Sequence, residues 1–155
     1  MAFTQPLVSQ AVDAQDIQSC YDVRIRVFVH EQKIPLELEI DEYDPVCLHW
    51  LATAVEVSQQ SRQALGTVRL YPVPNSSIGK LGRLAVDLSA RGLGLGRKLV
   101  EALEQDAKAK SMTSIEAHAQ VAKRLFYEKL GYHVMDETVF IEDGVEHVKM
   151  GKLLG

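Results

Sequence analysis

Arg91-Gly92-Leu93-Gly94-Leu95-Gly96-Arg97-Lys98 is the segment around which the rest of this chain can be organised. Three of the ten glycines fall within its five positions 92–96, between a stretch with strand character and a long amphipathic one. Glycine lets successive backbone N–H groups converge on one point without interference from Cβ. A helix start adds unpaired N–H donors and partial positive charge, which together make an anion site. Arg91, Arg97 and Lys98 add formal charge, so a diphosphate is the natural guest. Without such a use, three glycines at a helix start are costly. Two familiar phosphate loops fail on spacing. A Walker loop needs Gly-Lys followed by Ser or Thr, but Gly96 precedes Arg97 and Lys98 precedes Leu99. The dinucleotide fingerprint needs G-x-G-x-x-G, and here the spacing is G-x-G-x-G.

Upstream, Ile78–Val86 (IGKLGRLAV) reads as a strand, with Gly79 and Gly82 marking a bulge or a close backbone approach. Cys47–Val57 and Leu65–Tyr71 read as a strand pair around a polar loop, Ser58–Gln63, and Pro72 and Pro74 break the second. Residues 3–10 alternate weakly, enough for a first strand. Asp16 is placed to cap a helix whose apolar face is Ile17, Cys20, Val23, Val27 and Phe28, ending before Pro35. Downstream, Leu95, Leu99, Ala102 and Leu103 form one helical stripe, with Lys108 and Lys110 at the end where positive charge suits the dipole. Thr113–Ala119 is a short strand, and Val121–Leu130 a helix stopped by Gly131. Asp143-Gly144 between apolar runs is a hairpin turn. The order is β-α-β-β-β-α-β-α-β-β, an α/β protein with a mixed sheet and helices on its faces.

At 155 residues, 46% hydrophobic and 25% charged, residues 1–155 are expected to form one ordinary globular domain. Seventeen basic against twenty-one acidic side chains give a net charge of −4, the wrong sign for broad phosphate neutralisation, so no nucleic-acid partner is expected. Five acids, Glu37, Glu39, Asp41, Glu42 and Asp44, hold the whole excess. They read either as a solvated turn or as an acidic rim that draws in a cationic substrate. Cys20 and Cys47 are too few for a disulfide framework. The five histidines (30, 49, 118, 133, 147) lack metal-ligand spacing, so no metal is expected. With no signal-like start and no membrane-length apolar run, the expectation is a cytoplasmic protein without a membrane partner.

Arg91-x-x-Gly94-x-Gly96 resembles the Q/R-x-x-G-x-G/A signature of the Gcn5-related N-acetyltransferases, the GNAT superfamily. Leu125-Phe126-Tyr127-Glu128-Lys129-Leu130-Gly131-Tyr132 resembles that family's later F/L-Y-x-x-x-G-F/Y segment. Arg26-Val27-Phe28-Val29-His30-Glu31-Gln32, followed by Glu39, Asp41 and Asp44, is similar to the opening of its ElaA/YjcF-like branch. Glu142-Asp143-Gly144-Val145-Glu146-His147-Val148-Lys149-Met150 is similar to that branch's ending. The resemblance spans roughly residues 20–150.

It implies acetyl-CoA as co-substrate and an amine-bearing acceptor, a small molecule or a protein amine, with a homodimer left open. Leu84, Ala85 and Val86 would meet the pantetheine arm. Arg91, Gly92, Leu93, Gly94, Leu95, Gly96 and Arg97 would wrap the pyrophosphate. Gln120 stands where the family often has Asn, and can still hydrogen-bond the pantetheine. Tyr127 falls at the position of the usual general acid, and its bland reading is a packed tyrosine. Some relatives carry a Glu base on the strand before the phosphate turn, but no acid lies between Leu81 and Val86. Glu31, Glu116, His118 and His147 are the candidates for the base. A non-catalytic CoA-binding sensor on the same fold is the alternative to an enzyme.

Overall fold

The computed structural model describes residues 2–155 and follows the expected order with one added short helix. Its elements are β1 (Phe3–Ala11), α1 (Ala14–Arg24), α2 (Leu36–Glu39), β2 (Leu48–Glu56), β3 (Ser61–Pro72) and β4 (Ile78–Val86). There follow α3 (Leu95–Ala109), β5 (Ser114–Gln120), α4 (Arg124–Lys129), β6 (His133–Glu142) and β7 (Val145–Leu153). The seven strands make one mixed sheet in the order β1-β2-β3-β4-β5-β7-β6, in which β4 and β5 run parallel. No described helix is long and apolar enough to cross a membrane.

Alternation along β2 explains the layering. Trp50, Ala52 and Ala54 pack into the main core with Leu95, Leu99, Val100, Leu103 and Ala107 of α3. Leu51, pointing the other way, clusters with Cys20 of α1. The two helices therefore cover opposite faces. Trp50 also donates its indole N–H to Asp106 of α3 at 2.8 Å. Val100 and Ala107 lie in the buried stripe, while the expected Ala102 sits at its margin.

Several local expectations shift. Asp13, not Asp16, is the N-cap of α1, accepting from the Asp16 backbone N–H at 2.8 Å. The helix does end before Pro35, but its last part widens into a π-helical turn over Ile25–Glu31, a feature common at functional sites. β3 begins at Ser61, because its polar start pairs back on Val55 and Glu56. Gly131 and the Asp143-Gly144 turn adopt the positive φ expected of them.

The acidic segment is neither a solvated turn nor an open acidic rim. Glu39 and Asp44 are 2% and 3% exposed and enclose Arg24, whose Nε and Nη1 reach them at 2.8 and 2.7 Å. Arg69 bridges Asp41 and Asp44, both at 2.8 Å, and Arg83 bridges Glu39 and Asp41 at 3.2 and 3.1 Å. Three arginines thus balance three of the five acids. Burial would raise the Asp44 carboxyl, but Arg24 and Arg69 hold it well below the usual carboxylate range. Burial pushes Glu39 the other way, upward, despite its arginines.

Candidate active site

The parallel pairing of β4 with β5 runs only from Ile78↔Ser114 to Leu81↔Ala117. Beyond it β4 stays with β3 as far as Val86, and β5 stays with β7 as far as Gln120. The two strands therefore part, and a cleft of about 1140 Å³ opens between them. A bulge sharpens the divergence. Residues 67 and 69 of β3 face residues 85 and 82 of β4, so β4 carries one extra residue there. Gly79 serves a different purpose, since a Cβ would lie 2.6 Å from Leu70 Cδ1. The strained residue of the bulge is Arg83, at φ +54°.

The glycine turn closes one end of the cleft, and its glycines have separate reasons to be there. Gly92 and Gly94 adopt φ of +90° and +74°, and a Cβ on either would point into open space. Gly96 permits a close approach: a Cβ would meet the Phe126 ring at 3.3 Å. Gly94 caps α3 without any side-chain hydrogen bond, so the first N–H groups of that helix remain for a ligand. A cradle with unused donors and room above its glycines fits a diphosphate, and the bulged strand beside it fits an extended pantetheine arm. Arg91 and Arg97 line the cleft, whereas Lys98 does not and Lys123 does. Leu93 is 43% exposed and lies outside the lining, unlike Leu84, Ala85, Val86, Leu95 and Gln120.

Two contacts tie the π-helical segment across this channel. Glu31 grips Arg91 with both carboxylate oxygens, at 2.7 and 2.6 Å, and Gln120 donates to Gln32 at 2.9 Å. The Arg91 hydrogen bonds hold the Glu31 carboxyl below its ordinary value. Arg97 is engaged by Glu101 at 2.6 Å on its own helix.

Tyr127, on α4, is buried, lines the cleft and packs edge-on against Phe126 and Tyr132. Burial raises its hydroxyl pKa, so the proton stays on at neutral pH. Glu116, His118 and Gln120 alternate along β5 into the cleft, with Ile115, Ala117 and Ala119 in the core behind. Across β7, Glu142 accepts from His118 Nδ1 at 3.0 Å and lies 3.8 Å from His147 Nε2. Glu142, Gln32 and Phe126 stand in the runs that carry the family resemblance, but the sequence gives none of them a role of its own.

The comparisons agree with this architecture. The family model described as an acetyltransferase (GNAT) domain matches residues 51–154. The uncharacterized N-acetyltransferase YjcF of Bacillus subtilis is 32% identical over 142 residues, spanning 92% of this chain and 96% of its own. An acyl-CoA N-acyltransferase of Pseudomonas aeruginosa superposes with a TM-score of 0.78 at 27% identity, over 97% of this chain and 99% of that one. Escherichia coli ElaA shares the fold, with a TM-score of 0.77 at 20% identity, over 97% and 99% of the two chains. The chain belongs to the GNAT superfamily of acyl-CoA-dependent N-acetyltransferases.

Proposed function

We propose that residues 1–155 form one catalytic domain that moves the acetyl group of acetyl-CoA to a primary amine, by direct attack within a ternary complex. The observation that carries this reading is the parting of β4 from β5 past Leu81 and Ala117, with the open glycine cradle at one end and Tyr127 and His118 along the walls. Acetyl-CoA brings an activated acyl carbon and a thiolate leaving group. The N–H groups of Leu84–Val86 would receive the negative charge that grows on the acyl oxygen. As the C–S bond breaks, the Tyr127 hydroxyl, which burial keeps protonated at neutral pH, gives its proton to sulfur.

The base must take a proton from the amine as the N–C bond forms. Of the four candidates for the base, Glu31 is spent on Arg91 and Glu116 is paired with Lys149 at 3.3 Å. His147 is 7% exposed, and its Nδ1–H is held by the Val145 carbonyl at 2.8 Å, so its free nitrogen faces Glu142. His118 is the accessible one, with a side chain 44% exposed. We assign the proton transfer to His118 Nε2. The two buried free thiols fit a reducing, cytoplasmic setting.

Calorimetry with acetyl-CoA, followed by thiol-release assays over a panel of lysine, putrescine, glucosamine and a peptide with a free N-terminus, tests the reading. Micromolar binding with thiol release on at least one amine is expected. Binding without turnover on any amine would favour a CoA-binding module, and absence of binding would overturn both.

A further inference from the structure

We infer that Glu142 is a positioning residue for acetyl transfer, forming with His118 a carboxylate–imidazole dyad that fixes which ring nitrogen meets the amine. This rests on the assignment of His118 as the base.

The hydrogen-bond chemistry sets the tautomer. A carboxylate can only accept, so the 3.0 Å contact from His118 Nδ1 to Glu142 Oε1 requires the proton on Nδ1. In the neutral ring the lone pair is then on Nε2, on the side of the ring away from Glu142. Such a ring can take a proton from an amine at Nε2 while the growing imidazolium charge is met by the carboxylate at Nδ1. The amine loses one proton, Nε2 gains it, and Glu142 stays ionised throughout.

Two further observations show that the pair is built rather than incidental. Phe140 packs edge-on against the His118 ring, centroids 4.9 Å apart at 75°, and stacks on His147 at 5.8 Å and 23°, so one phenyl ring restrains both imidazoles. Glu142 is the residue just before a two-residue turn, and Asp143 and Gly144 take the positive φ of +53° and +79° that such a hairpin needs. Its backbone position is therefore set by tight turn geometry. The second oxygen of Glu142 lies 3.8 Å from His147 Nε2, beyond hydrogen-bond reach, so His118 is the imidazole this carboxylate engages.

The test pairs kinetics with spectroscopy on the full chain. In wild type without any acceptor, 15N-edited spectra of the imidazoles are expected to show His118 as the Nδ1–H tautomer. A dominant Nε2–H tautomer would overturn the proposal, whether or not any variant folds. With an amine from the panel above, Glu142→Gln is expected to lower kcat by about tenfold to a hundredfold. Its acetyl-CoA KM should stay within about twofold, and Glu142→Asp should recover part of the loss. If His118→Gln abolishes turnover while Glu142→Gln keeps both kcat and the tautomer, the dyad is wrong and the base assignment stands. If His118→Gln itself turns over normally, the base assignment fails, and the dyad with it.

Discussion

Asp44→Asn is the most informative single change in the ion-pair lattice beneath the cleft. The substitution keeps the side chain's shape and removes one charge from a site that is 3% exposed. Asp44 serves Arg24 at 2.7 and 3.1 Å and Arg69 at 2.8 Å, and it accepts the Asp41 backbone N–H at 2.9 Å. Its loss leaves Arg24, itself buried, with Glu39 alone. Breaking a buried pair from one side costs about 3–5 kcal/mol. At roughly 2–4 °C per kcal/mol for a chain of this size, Tm should fall by about 6–20 °C. Scanning calorimetry reads this directly, and its pH dependence gives an independent check. The folded protein holds the Asp44 carboxyl below its ordinary value, so between the two values the unfolded chain binds more protons. The stabilisation is therefore complete above about pH 5, and it drains away progressively as the pH falls from the ordinary carboxylate value near 4 towards the lowered folded value. Glu39, pushed upward by burial, runs the other way. The difference between wild type and Asp44→Asn isolates Asp44, and it should shrink as the solution is acidified. A Tm lowered by less than about 2 °C, with a difference that does not change with pH, would mean that these charges are solvated and the lattice is not a structural unit.

Three other outcomes are expected. Gly94→Asp should weaken acetyl-CoA binding by at least about tenfold in calorimetry, because a carboxylate would enter the open space over the helix start; unchanged affinity would remove the turn from the cofactor site. Tyr127→Phe should lower kcat more than it raises acetyl-CoA KM, and the opposite pattern would leave the ring as packing. Glu31→Gln should keep kcat within about threefold while shifting acetyl-CoA KM, since the carboxylate is occupied by Arg91. A kcat collapse at unchanged KM would return Glu31 to the role of base.

Much of the cleft was legible because its causes are local. The order of strands and helices follows from periodicity and from Gly and Pro punctuation, and Ile78–Val86 has the bounds read from the sequence. The glycine turn was legible too, as positive φ and close approach are demands that few other residues meet. The local misses have local reasons. Ser61–Gln63 looks like loop because it is polar, yet a hairpin pairs its backbone whatever the side chains. Asp13 and Asp16 are equally good caps by letter, and only the chain's entry from β1 selects the first.

The sequence by itself determined the glycine turn, the helix behind it, the tyrosine on the following helix and the mixed-sheet architecture. Each depends on residues within a few positions of one another, where spacing is geometry. The tertiary structure alone decided what the charges do. Arg24, Arg69 and Arg83 converge on the acids of 39–44 from three separate elements, turning an apparent acidic field into a balanced, buried lattice. It likewise decided that Glu31 belongs to Arg91, sixty residues away, and that Glu142 belongs to His118, twenty-four residues away. Formal charge can be counted along a chain, but its effect depends on distance and burial, and both are set only when the strands and helices have been brought together.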